Sequence, residues 1–237
     1  MSAPIGTDRA YAASAEDLAI VLQEAHHRVD LAWEGLDAVH QDVSRSLVAL
    51  GDVEIAVRKG ERGLARPFEL QEAFEDLRRR SVQACADAGE VREHLGFARG
   101  ALAAGQVVLA GMPTPATDQE RSDREAMDTR LRRLHRSLGE LLPVAEDLTR
   151  GTRATGELAT QGRDRAGSDR AEVLGLSEDV SRSRKVARGL DNPVGAARVE
   201  VRRAAAQAQA LASAARLRAA LTTSHPAAAI TSAGVHR

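Results

Sequence analysis

The chain has 237 residues, 43% apolar but only 2% aromatic, so burial must come from Ala, Leu and Val, a composition that favours helix. Its 33 Lys and Arg against 34 Asp and Glu leave a net charge of −1, which excludes a long-range pull toward nucleic acid or anionic membrane. Cys85 is the single cysteine, which excludes an intrachain disulfide, and no apolar run approaches the ~20 residues that a membrane span requires.

Residues 1–17 hold Pro4, Gly6, Asp8, Arg9, Glu16 and Asp17 in place of the continuous apolar stretch of a Sec leader. The expectation is a disordered segment over 1–14 and a cytoplasmic location, with export that uses no cleaved signal left open. The first helix is predicted from about residue 15 to 59, and Ser14 with Asp17 is read as its capping signal. Leu22, Val29, Leu36, Val43, Leu50 and Val57 share one heptad position, a, and Leu18, Ala25, Ala32, Val39, Ser46 and Val53 share d. Gly60-Glu-Arg-Gly63 supplies a helix stop and Pro67 a first helical position, so the chain reverses there.

The second helix carries Leu70, Leu77, Ala84, Val91 and Ala98 on one register and Phe74, Ser81, Ala88, Leu95 and Leu102 on the other. It ends between Gly105 and Gly111, before Pro113-Thr-Pro115. At ~1.5 Å per residue both helices are roughly 60 Å long and form an antiparallel hairpin over 15–111.

A connecting helix is predicted over 118–142, with Met127, Leu131, Leu134, Leu138 and Leu141 on its apolar face and Pro143 kinking it or starting the next. A second hairpin is predicted over 143–222. Its seam is Ala145, Thr152, Ala159, Ala166, Val173, Val180 and Ala187 beside Leu148, Thr155, Gly162, Asp169, Leu176, Ser183 and Leu190. Gly151, Gly156, Gly162, Gly167 and Gly175 each cost up to ~1 kcal/mol against Ala in a helix, so local breaks are expected, above all between 162 and 168. Gly189-Leu-Asp-Asn-Pro193 reads as the hairpin turn, followed by a helix with Ala197, Val201, Ala204, Ala208, Leu211 and Ala215 inward. That face superposes on the second helix at a shift of 127 residues, the signature of a duplication that heptads alone also imitate. Residues 223–237, with Pro226 and Gly234, are expected to form a disordered tail.

Trp33-Glu-Gly35 resembles the tripeptide of the WXG family of type VII secretion substrates, whose members are helical hairpins with that motif in the turn. The resemblance covers the N-terminal hairpin and implies an export substrate or its helical partner. In this chain the heptads run straight through Val29, Leu36 and Val43, which places Trp33 mid-helix. That family's tyrosine-containing signal after the second helix has no counterpart, Tyr11 being the only tyrosine. The layout of hairpin, connector and hairpin, the turn Gly60-Glu-Arg-Gly63-Leu-Ala and the stop Gly111-Met-Pro113 also look similar to uncharacterised helical proteins of actinobacteria, which implies a fold and no activity.

His26, Trp33, His40 and Leu47 recur every seven residues at e, widening the apolar face of the first helix beyond what one partner helix needs. This stripe is the candidate interaction site, to be covered by a third helix or a second copy. Glu24 with His27 and Asp37 with His40 have the spacing of carboxylate-bridged metal bundles. Glu24 and His27, however, fall at c and f, and the a and d positions of the first two helices hold no acid. No phosphate loop, dinucleotide turn, nucleophile elbow or zinc-protease motif occurs. Cys85 reads as a half-buried small apolar residue, with no neighbouring histidine to activate it. The clusters Arg78 to Arg80, Arg132, Arg133 and Arg136, and Arg182, Arg184 and Lys185 are interleaved with acids. Only Arg198, Arg202, Arg203, Arg216 and Arg218, against Glu200, are lopsided, and they lack the aromatic platforms of a single-strand binder.

The sequence therefore reads as an all-α protein of long antiparallel helical hairpins with heptad seams, a coiled-coil-like bundle. The expected role is non-enzymatic, with no cofactor or metal. The expected partner is a helical protein or a second copy, and neither nucleic acid nor membrane. The physical motive is a thin core: a buried Leu contributes roughly 1.5–3 kcal/mol and Ala far less, so the second hairpin is marginal alone.

Overall fold

A computed structural model of the chain describes residues 5–167 and 170–223, with side chains described over 15–167 and 175–221. Four helices account for nearly all of these residues: α1 Ile5–Glu61, α2 Pro67–Gly111, α3 Asp118–Ala166 and α4 Arg170–Thr223. No strand occurs among the described residues, and the fold is all-α.

The helices divide into two compact units, each taking a segment from all four. One unit comprises 1–30, 96–139 and 203–237; the other comprises 31–95 and 140–202. In the second unit every neighbouring pair is antiparallel. From α1 to α2, Gly35 meets Val91. From α2 to α3, Phe74 meets Gly162 and Arg92 meets Glu146. From α3 to α4, Gly151 meets Leu190 and Arg165 meets Asp179, and from α1 to α4, Asp37 meets Arg198 and Glu54 meets Arg184. In the first unit, Leu22 meets Gly105 and Arg28 meets Phe97 in the same antiparallel sense, as do Arg99 with His135 and Leu109 with Arg124.

Burial follows the heptads. All twelve a and d residues of α1, all ten seam residues of α2, and every described seam residue of α3 and α4 are buried. Val173 and Asp169 lie outside the residues whose side chains are described.

The ends are capped by identifiable bonds. After α1, Leu64 N–H donates to the Lys59 carbonyl (2.7 Å) and Gly63 N–H to the Gly60 carbonyl (2.8 Å), a Schellman pair. Gly63 sits at φ 73°, where a Cβ would strain the backbone. At α3 the Thr117 hydroxyl accepts from Glu120 N–H (3.1 Å) while the Glu120 carboxylate accepts from Thr117 N–H (3.3 Å) and Ala116 N–H (2.7 Å), a complete capping box. The end of α2, which has no basic residue of its own in its final turn, is met by Arg124 of α3, which donates to the Leu109 and Ala110 carbonyls of the helix and to those of Met112 and Pro113 just beyond it.

Three expectations are corrected. α1 begins at Ile5, so much of the segment expected to be disordered over 1–14 is helical: Ala10, Tyr11, Ala12 and Ala13 propagate helix past Ser14, and residues 1–4 lie outside the described range. The connecting helix does not end at 142, nor does hairpin B begin at 143, because α3 passes through Pro143. Nor is there a turn at Gly189–Pro193, which lies inside α4. An internal proline costs about 3 kcal/mol, but Leu138, Leu141, Ala145 and Leu148 keep 3-4 spacing across Pro143. Leu190, Val194, Ala197 and Val201 do the same across Pro193, and breaking either helix would expose the following seam. The helix does end where a break was expected between 162 and 168, at Ala166. The tail over 223–237 lies, apart from Thr223, outside the described residues.

Two glycines expected to weaken α3 are packing notches. A Cβ on Gly162 would sit 2.2 Å from Cε1 of Phe74, and one on Gly151 2.4 Å from Cδ2 of Leu190. Gly162→Ala should therefore lower stability by about 1–3 kcal/mol despite its better helix propensity. Gly100→Ala, with nothing within 4 Å of the new methyl, should raise it by about 0.5–1 kcal/mol. Urea unfolding followed by circular dichroism gives both signs, and a stabilised Gly162→Ala would refute the notch.

Candidate interaction faces

The stripe His26, Trp33, His40 and Leu47 lies on α1, and none of the four is exposed; all are half-buried. In the second unit α4 supplies the cover at Trp33, where the Arg202 guanidinium lies 5.8 Å from the centroid of the indole ring. One turn on, Asp37 is bound by Arg198 of α4 and accepts from the Gln41 amide at 3.0 Å. Leu47 packs on a core cluster that includes Leu50, Val53, Leu70, Phe74 and Leu77. The His40 Nδ1 is buried without a hydrogen-bond partner. In the first unit His26 is 16% exposed, its Nδ1 3.3 Å from Asp30 Oδ2 but without hydrogen-bond geometry. At Trp33 and Leu47 the stripe packs within the chain.

The arginines of α4 share that fate. Arg198 and Arg202 engage α1 in the second unit, and in the first Arg216 donates to Gln23 of α1. Arg203 and Arg218 also have partners. Of the other basic clusters, Arg78 binds Glu75, Arg79 and Arg80 bind Asp76, Arg132 binds Asp128, Arg182 binds Asp179 and Arg184 binds Glu54.

Trp33-Glu-Gly35 lies far inside α1, and a Cβ on Gly35 would sit 2.8 Å from Cγ2 of Val91. Its glycine thus serves close approach of α2. Of the carboxylate-histidine pairs, Glu24 is spent on Arg28 (2.6 Å) with His27 exposed, and Asp37 is spent as described. Among the described residues no group of three or more His, Cys, Asp or Glu converges.

Two acidic sites escape a heptad reading because they lie beside the seam. Asp179, 2% exposed, is held by Arg165 from α3 (2.5 Å) and Arg182 (2.8 Å). Asp42 and Asp87 approach each other between α1 and α2. Burial raises the Asp87 carboxyl above its ordinary value and Asp42 adds to that, opposed by the Gln83 amide at 2.8 Å. Burial likewise lowers His135, assisted by Arg99, whose Nε donates to its Nε2 at 3.2 Å.

The outward face between α2 and α3 in the second unit is different in kind. Ser81, Val82, Cys85 and Ala86 of α2, with Thr152, Arg153, Gly156, Glu157 and Thr160 of α3, line an open groove of about 360 Å³. The helices come close here because Gly156 lies against Ser81: an added Cβ would be 3.5 Å from that of Ser81 and 3.9 Å from Cγ2 of Val82. Val82 is 53% exposed, and the half-buried Cys85 donates its S–H to the Thr149 carbonyl at 3.6 Å. Ion pairs between α2 and α3 stand on either side, Arg92–Glu146 at 3.6 Å and Arg163–Glu75 at 2.9 Å. The local cause is composition: Ser, Ala, Cys, Gly and Thr put too little side chain on this edge to fill it.

No protein-family model matches this chain, and no curated protein has a significantly similar sequence.

The ion pair closing the groove makes a pH prediction. Arg78, with Arg163 from α3, holds the Glu75 carboxyl down to about 2 from its ordinary 4.5. A depressed carboxyl contributes stability above the unfolded value and loses it as pH falls from 4.5 through about 2. The Tm difference between the native chain and Glu75→Gln should be largest near neutral pH and vanish toward pH 2; a constant difference would contradict it.

The cover on Trp33 makes another. Its fluorescence maximum should lie to the blue of exposed tryptophan and move red in Arg202→Ala, whereas a solvent-like maximum in the native chain would show that α4 leaves the ring open.

Proposed function

We propose that this chain is a non-enzymatic helical interaction protein of the cytoplasm, which binds another helical protein or a second copy of itself through an outer helix face. The supporting observation is the α2–α3 groove: an apolar, small-residue cleft of about 360 Å³, open to solvent beside an interior whose described seam positions are all buried. Scattered exposed apolar residues need no explanation. An open apolar cleft edged by exposed Val82 and Ala86, with α2–α3 ion pairs on either side, is a shape into which a ridge of side chains on a second helix can pack.

The other classes find less support. The arginines of α4 that could track a nucleic-acid backbone are turned onto α1 or otherwise partnered. Among the described residues no helix is long and apolar enough to cross a membrane. The polar groups in the seam are largely consumed locally, as where the Thr152 hydroxyl donates to the Leu148 carbonyl (2.8 Å) and Thr155 to Gly151 (3.1 Å). Hydroxyls bonded back to their own helix in this way are not presented to a substrate.

Tagged chain captured from its native cell should bring down a helical protein, or untagged copies of itself, in stoichiometric amount. Ala86→Glu, which places a charge on the exposed groove edge without touching the seam, should abolish the capture. Recovery of nothing, or capture unchanged by Ala86→Glu, would remove this function.

A further inference from the structure

Resting on that reading, we infer that the occupant of the α2–α3 groove is a second copy of this chain, related by a two-fold axis across the groove near Gly156. The argument is charge complementarity. Arg153 and Glu157 are both exposed, both line the groove, and neither forms an ion pair with any described residue. They stand one turn apart on α3, in the order with Arg first, the weaker orientation for a pair within one helix. A two-fold axis is the one symmetry that makes such a doublet complementary to itself, because it reverses the direction of α3. Arg153 then faces Glu157 of the second copy, and Glu157 faces its Arg153. A foreign helix would need a matching doublet of its own; a second copy carries it by construction.

The surroundings fit the same occupant. Val82 stands out from the rim beside Gly156, close to the axis, so the two-fold brings it against Val82 of the second copy as an apolar contact at the centre of the patch. The Arg92–Glu146 and Arg163–Glu75 pairs at the ends supply the charged rim that surrounds an apolar contact. Between those pairs α2 runs about 17 residues, or roughly 25 Å, and two helices side by side are roughly 20 Å wide. The patch is thus on the order of 500 Å² per copy, below the ~800 Å² of a standard interface. The dimer is accordingly weak and reversible, in the micromolar range, where each rim charge is a visible fraction of the affinity.

Sedimentation equilibrium of the full chain reads this directly. The native chain should pass reversibly between monomer and dimer with concentration. Arg153→Glu alone, or Glu157→Arg alone, should weaken the dimer about ten-fold or more, since two attractions become two repulsions. The double exchange, Arg153→Glu with Glu157→Arg, should restore it, because the doublet is again self-complementary. Both positions are exposed, so helicity, and Tm measured at concentrations where the native chain is monomeric, should stay at native values in all three variants. Cys85 reports on the same face: its alkylation by iodoacetamide should slow as native or doubly exchanged chain is concentrated, and not in the single variants. A monomer at every concentration, a dimer indifferent to the single reversals, or a double exchange no better than either single would overturn the inference. Capture of a different helical protein by a strictly monomeric chain would overturn it while leaving the broader interaction role standing.

Discussion

The structure depends on one constraint: four helices in contact must each keep a single edge turned inward without losing phase. In α1 that edge is held by twelve buried residues from Leu18 to Val57, in α2 by ten from Leu70 to Leu102. A slip of one residue would rotate the edge by about 100° and exchange Leu36 for Asp37 or Leu77 for Arg78. This explains why α3 and α4 run through Pro143 and Pro193. The local cost of a missing hydrogen bond is set against the seam that would come loose beyond it, and the seam is longer.

The same edge shows why the packing is close in some places and open in others. Where the second unit has Phe74, α3 answers with Gly162; where it has Leu190, α3 answers with Gly151. Large and small alternate across facing helices, and the core fills. Around Ser81 and Gly156 small meets small. The backbones approach, yet no side chain reaches outward to close the gap, and a groove remains. Hydroxyls add no bulk there either: Thr152 and Thr160 bond back to their own helix.

Much of this was legible in the sequence because heptad periodicity is a direct image of burial. Each a and d residue assigned to α1 and α2 is inside, and the stop at Gly60 to Pro67 falls where the backbone turns. Pro143, Pro193, Gly151 and Gly162 differ from their sequence expectation for a common reason. Their meaning is set by the facing helix, and a single chain read in one dimension does not show what faces what. Pro193 with Asn192 before it has the local chemistry of a helix start, and only the unbroken series from Leu190 to Val201 argues otherwise. Gly162 looks like a weak point until Phe74 is seen against it. The T-x-x-E box at Thr117 and Glu120 was there to be read. The role of Arg124 on the carbonyls of α2 was not, since nothing local ties residue 124 to residue 109.

The functional faces divide along the same line. The stripe of His26, Trp33, His40 and Leu47 obeys the heptad and is half-buried beside the seam, with α4 over Trp33 and the core cluster under Leu47. The groove is built from positions that the intramolecular register does not claim, such as Val82, Ala86, Arg153 and Glu157. Such positions carry no period of their own and become a site only when α2 and α3 are laid side by side. In a bundle of this kind the regular part of the sequence encodes the fold. The residues left over between registers are the place to look for partners.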